Sequence, residues 1–431
     1  MKKILLAIIN KSMIQLFMSK MRIILVVLSF IFCGNIYAQI NLENLDFINL
    51  DKNVLVYNKD SSLIIPFFRK LDSITKNNDG NINIIHFGGS HVQAGILPNR
   101  IRINLLNVFN ENIGSRGIIF PYSAARKCNN PLDYSVTKHG DFNLIRNVYD
   151  SLPKPLGVTG IAIYTDEKFS HIKITLQDTV KYRTNKIKLF AFSENSEINP
   201  TIIIDNTEYS YWEKDTQRRT YTFCVDDFYD SFIVNIPNEE NGTFTLTGIL
   251  LENDEPGITY HSIGVNGASV ASFLKCEYFS LDLESINPDL VIFGLGINDA
   301  SETEFDENVF VENYLLLIDK IRKVNPECAF LFITNNDSYF RISKNDYKVN
   351  TRGIIVRELF FRLAEKTKGA VWDQFEVMGG LKSMVKWERA KLAKTDKVHF
   401  TNIGYELIGD LFFNAFIKAY LGEVQKDYDT K

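Results

Sequence analysis

Short apolar runs that end in glycine and polar residues most limit the folds open to this sequence. Residues 82–87 form one such run, and Leu290–Gly294 form another. Apolar residues at helical spacing follow each run, over 96–110 and 306–324. Buried strands that alternate with amphipathic helices are typical of a parallel α/β sheet, whose ligands bind at the carboxyl ends of the strands. We therefore predict such a sheet, with functional residues just after these runs.

The alternation continues toward the end of the sequence. Strand patterns cover 328–334 and 369–373, and helix patterns cover 350–366 and 401–421. With 431 residues, of which 45% are hydrophobic, the chain can bury a large core. Its length suggests two or three domains.

The segment from 127 to 256 has a different pattern, with little helical period. Six stretches alternate apolar and polar residues, and turn residues separate them; they are 171–176, 187–192, 201–205, 220–225, 231–236 and 243–250. This pattern predicts an antiparallel β-sandwich of jelly-roll type, inserted into the α/β domain. A set of β-hairpins forming a lid is the alternative. The α/β domain would then comprise residues 39–126 and 257–431.

The first 38 residues have the features of a secretory signal peptide. Arg22 precedes an apolar stretch over 23–32, and Ala38 offers a small residue for cleavage. A membrane anchor is the alternative, but the stretch is too short to span a bilayer comfortably. Met21 is an alternative start. We expect export to the periplasm, the cell envelope or the medium, with no stable membrane span after cleavage.

Charge and metal-ligand spacing exclude several functions. A formal net charge of −4 and a pI near 6.0 give no electrostatic basis for binding nucleic acid. The cysteines that follow the leader form no CxxC pair, and the six histidines form no HxH or HExxH pattern. We therefore expect no metal and no cofactor.

Three segments carry candidate catalytic residues. Ser90 follows the first apolar run and precedes a helix, so its own N–H would help to bind an oxyanion. Asn298 follows the second run and offers an amide donor. His399 lies three residues after Asp396, a spacing that allows a base with an orienting carboxylate. Each residue alone also fits a helix cap, a turn or a solvated loop, but together they form the minimal set for serine acyl transfer.

As a set, these segments resemble the SGNH (GDSL-like) hydrolase superfamily. The serine block is Phe-Gly-Gly-Ser-His at 87–91, the asparagine block is Gly-Leu-Gly-Ile-Asn-Asp at 294–299, and Asp-x-x-His ends at His399. The glycine block matches residues 263–269, where the resemblance assigns Gly267, or alternatively Gly264, as a backbone oxyanion donor. It covers residues 40–126 and 257–421. The family fold that it implies is a three-layer α/β/α, flavodoxin-like parallel sheet.

Two features refine the resemblance. Gly89 replaces the aspartate of the usual Gly-Asp-Ser block, which puts the positioning of the serine loop in question. His91 and Gln93 are similar to the subgroup that includes peptidoglycan O-acetylesterases, and the resemblance makes both candidate substrate-binding residues. In that subgroup a β-sandwich resembling a carbohydrate-binding module interrupts the hydrolase domain. Here Gly267 lies 177 positions after Ser90, which leaves room for such a module.

The resemblance implies an exported serine esterase that removes O-acetyl groups from a cell-wall or other polysaccharide, with O-acetylated peptidoglycan as the expected substrate. Ser90, His399 and Asp396 would form the catalytic triad. An O-acetyltransferase with the same triad and a degenerate, non-catalytic glycan-binding protein are the alternatives. Aromatic residues of the insert would be able to stack on sugar rings; they are Tyr209, Tyr211, Trp212, Phe223, Phe228 and Tyr229.

Overall fold

A parallel sheet forms the centre of the hydrolase-like part of the chain. The computed structural model describes residues 45–109, 114–125, 130–177, 182–344 and 346–429; the predicted signal peptide lies outside them. The sheet strands, in spatial order, are β15 (Gly257–Gly264), β2 (Asn81–Gly88), β16 (Leu290–Gly294), β17 (Ala329–Ile333), β20 (Ala370–Trp372) and β1 (Leu55–Tyr57). All neighbouring pairs are parallel except β1 with β20.

This strand order is that of a flavodoxin-like sheet. Numbering its five parallel strands along the chain gives the spatial order 2-1-3-4-5. The direction of winding changes between β2 and β16, and a crevice opens at such a switch point. The fold therefore brings the residues that follow these two strands to one place.

Helices cover both faces of the parallel sheet. They are α1 (Ile64–Asn77), α2 (Ser90–Gln93), α3 (Ile96–Val108), α4 (Val270–Leu274), α5 (Phe279–Ile286), α6 (Glu307–Val324), α7 (Arg352–Thr367), α8 (Gln374–Val377), α9 (Ser383–Arg389) and α10 (Asn402–Asp429). On one face α10 packs against α1 and α3, and on the other α6 packs against α4, α5 and α7. Ring contacts of 5.3 Å join the sheet to each layer, Trp372 with Phe412 and Phe293 with Tyr314. The predicted α/β/α fold is confirmed.

The region between β2 and β15 forms two antiparallel sheets. The five-stranded sheet has the order β10 (Thr207–Tyr209), β9 (Thr201–Ile204), β13 (Ser231–Pro237), β7 (Phe169–Leu176) and β4 (Tyr134–His139). The larger sheet has the order β11 (Glu213–Asp215), β12 (Thr220–Cys224), β8 (Lys186–Glu194), β14 (Thr243–Glu252), β6 (Ile161–Thr165) and β5 (Asn143–Arg146), with β3 (Gly117–Ile119) also paired to β14. Side chains of both sheets share one core, so the predicted antiparallel β insert is confirmed.

The inserted sheets and the α/β part lie within one structural unit, residues 49–431. A second core joins them, in which Ile118 and Phe190 of the larger sheet cluster with Phe87 and Phe273 of the α/β part. Strand β3 lies before the expected boundary at residue 127. A short hairpin, β18 (Tyr339–Arg341) with β19 (Tyr347–Val349), completes the strands.

A buried ionic cluster also lies where the two parts meet. Asp133 accepts hydrogen bonds from Arg116 Nε at 2.5 Å and from Arg102 Nη1 at 3.3 Å. Arg102 belongs to α3 and also donates to the carbonyl oxygen of Tyr260 on β15. Because the charges are removed from water, each depends on its partner. Among the helices that the structure describes, none is long and apolar enough to cross a membrane.

Candidate active site

The serine lies at the switch point of the parallel sheet. Strand β2 ends at Gly88, and α2 begins at Ser90 with Gly89 as its N-cap. A Cβ on Gly88 would collide with the side chain of Val92, so the tight passage from strand to helix requires glycine there. The turn leaves Ser90 at the mouth of the sheet, half-buried.

A chain of two hydrogen bonds links Ser90 to the distant histidine block. Ser90 Oγ lies 2.8 Å from His399 Nε2, and His399 Nδ1 lies 2.9 Å from Asp396 Oδ2. A carboxylate accepts only, so Nδ1 carries the proton and Nε2 is free to accept the Ser90 hydroxyl proton. The structure thus brings together the three residues that the sequence proposes as a triad.

The loop that carries His399 holds the carboxylate of Asp396 through both of its oxygens. Asp396 Oδ1 accepts the backbone N–H groups of Val398 and His399, each at 2.9 Å, while Oδ2 faces the imidazole. Burial opposes ionisation, but these hydrogen bonds hold the pKa of Asp396 well below its ordinary value. The His399 side chain is 33% exposed and that of Asp396 45% exposed, so the relay is open to solvent and to a substrate.

Asn298 lies beside the serine turn. Its Nδ2 donates one hydrogen bond to the carbonyl oxygen of Ala268 at 2.9 Å, which leaves the second N–H of the amide for another acceptor. A Cβ on Gly89 would stand 2.9 Å from that Nδ2 and 3.7 Å from the same oxygen. The serine, glycine and asparagine blocks therefore converge on one point.

The two candidate glycines of the glycine block have different surroundings. Gly267 lies in an exposed turn with a φ of +82°, and the described chain offers no acceptor to its N–H. Gly264 ends β15, where a Cβ would collide with the backbone of Gln93. The Ser90 N–H likewise finds no acceptor among the described residues. Gly264 thus serves packing, and Gly267 presents a free donor beside Ala268.

A comparison with protein families matches part of this chain. Residues 234–407 match the GDSL-like lipase/acylhydrolase family, a range that includes Gly267, Asn298, Asp396 and His399. The chain is a carboxylic ester hydrolase, and this part of it is similar to the GDSL-like family. The match begins within β13 of the insert and does not extend back to Ser90, which the fold brings to the other blocks.

Solved structures match this chain to different extents. A peptidoglycan O-acetylesterase structure matches with a TM-score of 0.70 and 20% identity, covering 85% of this chain and 99% of the other. An acetyl xylan esterase matches with a TM-score of 0.29 and 20% identity, over 37% of this chain and 81% of the other. A family two carbohydrate esterase from Clostridium thermocellum matches at 0.28 and 11% identity, over 66% and 99%. The comparison with curated proteins found no significant match.

Both candidate substrate-binding residues of this hydrolase make internal contacts. His91 Nδ1 lies 2.8 Å from the Tyr405 hydroxyl, and its ring centroid lies 5.3 Å from that of His399. Burial and the neighbouring His399 lower the pKa of His91 to about 3, so it stays neutral beside the base. Gln93 is buried, and its Oε1 accepts the backbone N–H of Asn266 at 2.6 Å. A role for either residue in binding substrate stays a prediction.

Residues that the sequence did not single out support the hydrolase site. Asp299, next to Asn298, is buried and accepts the N–H of Val270 at 3.2 Å, which fixes the start of α4. Arg146 of the insert donates to the carbonyl oxygen of Asn266. The place of Asp299 in the asparagine block was a sequence feature that could have pointed to it, whereas no local sequence feature points to Arg146. No group of three or more metal-ligating side chains occurs in the described ranges.

Proposed function

We propose that this hydrolase is an exported serine esterase that removes O-acetyl groups from a polysaccharide, with O-acetylated peptidoglycan as its substrate. The hydrogen-bonded relay from Ser90 through His399 to Asp396 carries the proposal. A serine hydroxyl becomes a competent nucleophile when a positioned base takes its proton. The relay forms although Gly89 replaces the usual aspartate, which argues against a degenerate site.

In the first half-reaction, Ser90 Oγ attacks the acetyl carbonyl carbon while its proton passes to His399 Nε2. The carbonyl π electrons move to oxygen, and the oxyanion accepts hydrogen bonds from Gly267 N–H, Ser90 N–H and the second amide N–H of Asn298. The tetrahedral intermediate then expels the sugar oxygen, which takes the proton from His399. Asp396 stabilises the imidazolium throughout.

In the second half-reaction, water attacks the acetyl-serine and gives its proton to His399 Nε2. The same donors hold the second oxyanion, and its collapse expels Ser90 Oγ, which recovers its proton. The products are acetate and free enzyme. Every group thereby returns to its starting protonation state.

A polysaccharide substrate is supported by the two-part architecture. The structure that matches at a TM-score of 0.70, over 99% of its length, is a peptidoglycan O-acetylesterase. The insert also exposes aromatic surface, with Trp212 81% and Phe228 43% exposed. Phe223 and Tyr229, by contrast, are buried in the sandwich and are unable to reach a sugar. We propose Trp212 as the first aromatic residue to test for glycan stacking.

The export step and the domain boundaries belong to the same proposal. Peptidoglycan lies outside the cytoplasm, so an enzyme that acts on it has to be secreted. The expected leader, residues 1–38, would supply this. The proposed units are the leader, the α/β domain over 39–126 and 257–431, and the insert over 127–256.

Acetate release from O-acetylated peptidoglycan tests the proposal, with acetylated xylan and p-nitrophenyl acetate for comparison. We expect Ser90→Ala and His399→Ala to lower kcat by about 10⁴-fold or more. His139→Ala is the matched control, because His139 is an exposed residue at the end of strand β4 of the insert and stacks on His171. Wild-type turnover equal to that of Ser90→Ala would overturn the proposed mechanism.

The same assay separates hydrolysis from acyl transfer. Acetyltransfer to a soluble sugar acceptor would appear as acetylated product at the expense of acetate, whereas an esterase releases acetate regardless of acceptor. Labelling of Ser90 by a fluorophosphonate tests the remaining alternative, a non-catalytic glycan-binding protein. Glycan binding without labelling would favour that alternative.

A further inference from the structure

The turn that carries Gly267 is held from two sides, and one of them belongs to the insert. Gln93 Oε1 accepts the N–H of Asn266 at 2.6 Å, and the Arg146 guanidinium donates through Nη2 to the carbonyl oxygen of Asn266. Gln93 lies on α2, three residues after the nucleophile, whereas Arg146 ends strand β5 of the inserted sheet. The backbone of Asn266 is thus fixed at both of its peptide groups.

The second of these peptide groups is the one that matters for catalysis. The carbonyl oxygen of Asn266 and the N–H of Gly267 belong to the same planar peptide unit, and in a trans unit they point in opposite directions. A donor that fixes the oxygen therefore also fixes the direction of the N–H. Because the donor is a cation, the hydrogen bond is charge-assisted and polarises the unit, which makes the N–H a stronger donor.

Neighbouring contacts show that Arg146 is not an isolated surface side chain. Val148 lies against Gly267, with its Cγ1 4.0 Å from the position of a Cβ there. The carbonyl oxygen of Tyr149 accepts from Lys275 Nζ at 2.9 Å, at the end of α4. The Arg146 Nε is buried. The segment from Arg146 to Tyr149 therefore packs along the turn and the helix that follows it.

We infer that Arg146 is a positioning residue for the oxyanion hole, acting from the inserted domain through the Asn266–Gly267 peptide. The inference rests on the proposed function, in which the Gly267 N–H stabilises the oxyanion. It gives the insert a part in the chemical step, separate from any binding of glycan. Without the insert, the carbonyl oxygen of Asn266 would lose the hydrogen bond from Arg146, and the N–H of Gly267 would be free to rotate away from the oxyanion.

Steady-state kinetics of the full chain on p-nitrophenyl acetate test this inference, because so small a substrate has no glycan to bind. We expect Arg146→Met to lower kcat by about 10- to 100-fold with KM changed less than about twofold, since an oriented donor acts mainly in the transition state. Arg146→Lys keeps the charge and should retain more activity. Arg218→Met is the matched control, because Arg218 also bridges the insert to the α/β part, at Glu284 on α5.

Chemical rescue distinguishes positioning from general destabilisation. Added guanidinium at low millimolar concentration should raise kcat of Arg146→Ala but not of wild type or Ser90→Ala, with sodium chloride at equal ionic strength as the reference. Thermal unfolding should show Arg146→Met as stable as Arg218→Met within about 3 °C. An Arg146→Met kcat that falls no further than that of Arg218→Met would overturn the inference alone. Wild-type turnover no higher than that of Ser90→Ala would overturn the proposed function and the inference with it.

Discussion

The side-chain amide of Asn298 lies against the backbone of Gly89, so close that a Cβ on Gly89 would stand 2.9 Å from Asn298 Nδ2. Carbon and nitrogen atoms that are not bonded do not approach this closely without displacement. The amide has little freedom to move, because it donates to Ala268 O at 2.9 Å. Gly89, the residue that departs from the usual Gly-Asp-Ser block, therefore leaves space for the side-chain amide of Asn298, the proposed oxyanion donor.

This contact predicts that Gly89→Ala lowers kcat by about tenfold or more through displacement of the Asn298 amide. Gly89 has a φ of −88° and a ψ of −137°, so urea unfolding is measured beside kcat to separate the contact from a change in the backbone. Gly422→Ala is the control, since none of the described residues comes within 4 Å of a Cβ there. Unchanged kcat in Gly89→Ala would show that Asn298 adjusts freely.

Substitution of the two glycines of the glycine block should affect different properties, catalysis at Gly267 and folding at Gly264. Gly267→Ala meets only Val148 at 4.0 Å, but its φ of +82° costs about 1–2 kcal/mol for alanine, which the exposed turn can relieve by rotating. We expect a loss of kcat of about tenfold or more with modest loss of stability. Gly264→Ala places its Cβ against the Gln93 backbone, so we expect severe loss of folding. Urea unfolding together with kcat measures both, and the reverse pattern would assign the oxyanion role to Gly264.

The sequence predicts well those elements whose side chains are buried on both faces or alternate strictly. Strand β16 is a continuous apolar run, β2 is buried over most of its length, and α6 begins directly after Asp306, whose side chain caps it. The six predicted strands of the insert are all present, with bounds within two residues of those predicted. Short strands such as β3 and β5 were missed, because their identity depends on long-range pairing rather than on local pattern.

The residues of the candidate site also divide into those that a local sequence pattern predicts and those whose contacts only the fold shows. Ser90, Asn298 and His399 were found because each follows a recognisable strand end or spacing and because the three occur in a family order. The contact between Arg146 and Asn266 spans 120 residues and leaves no local trace in the sequence. Gln93 was singled out as a candidate for substrate contact, and only the fold reveals its hydrogen bond to Asn266.

The buried cluster between the insert and α3 predicts a large stability effect. Asp133→Asn would leave Arg102 and Arg116 buried without their countercharge, and breaking a buried ion pair typically costs about 3–5 kcal/mol. Asp141→Asn is the control, because its pair with Lys138 is exposed and contributes about 0–1 kcal/mol. The free energy of unfolding in urea measures both. Equal losses in the two variants would contradict a structural role for the cluster.

Asp299 should make the stability of the protein depend on pH near neutrality. Burial raises the pKa of Asp299 to about 7, whereas an unfolded aspartate titrates near its ordinary value of about 4. Between these values unfolding releases a proton, so stability is greatest below pH 4 and falls as pH rises toward 7. Asp299→Asn keeps an oxygen for the Val270 N–H and removes the titration. From pH 5 to pH 8, we expect wild type to lose about 3 kcal/mol of unfolding free energy relative to Asp299→Asn. Parallel pH profiles for the two proteins would show that the fold does not raise the pKa of Asp299.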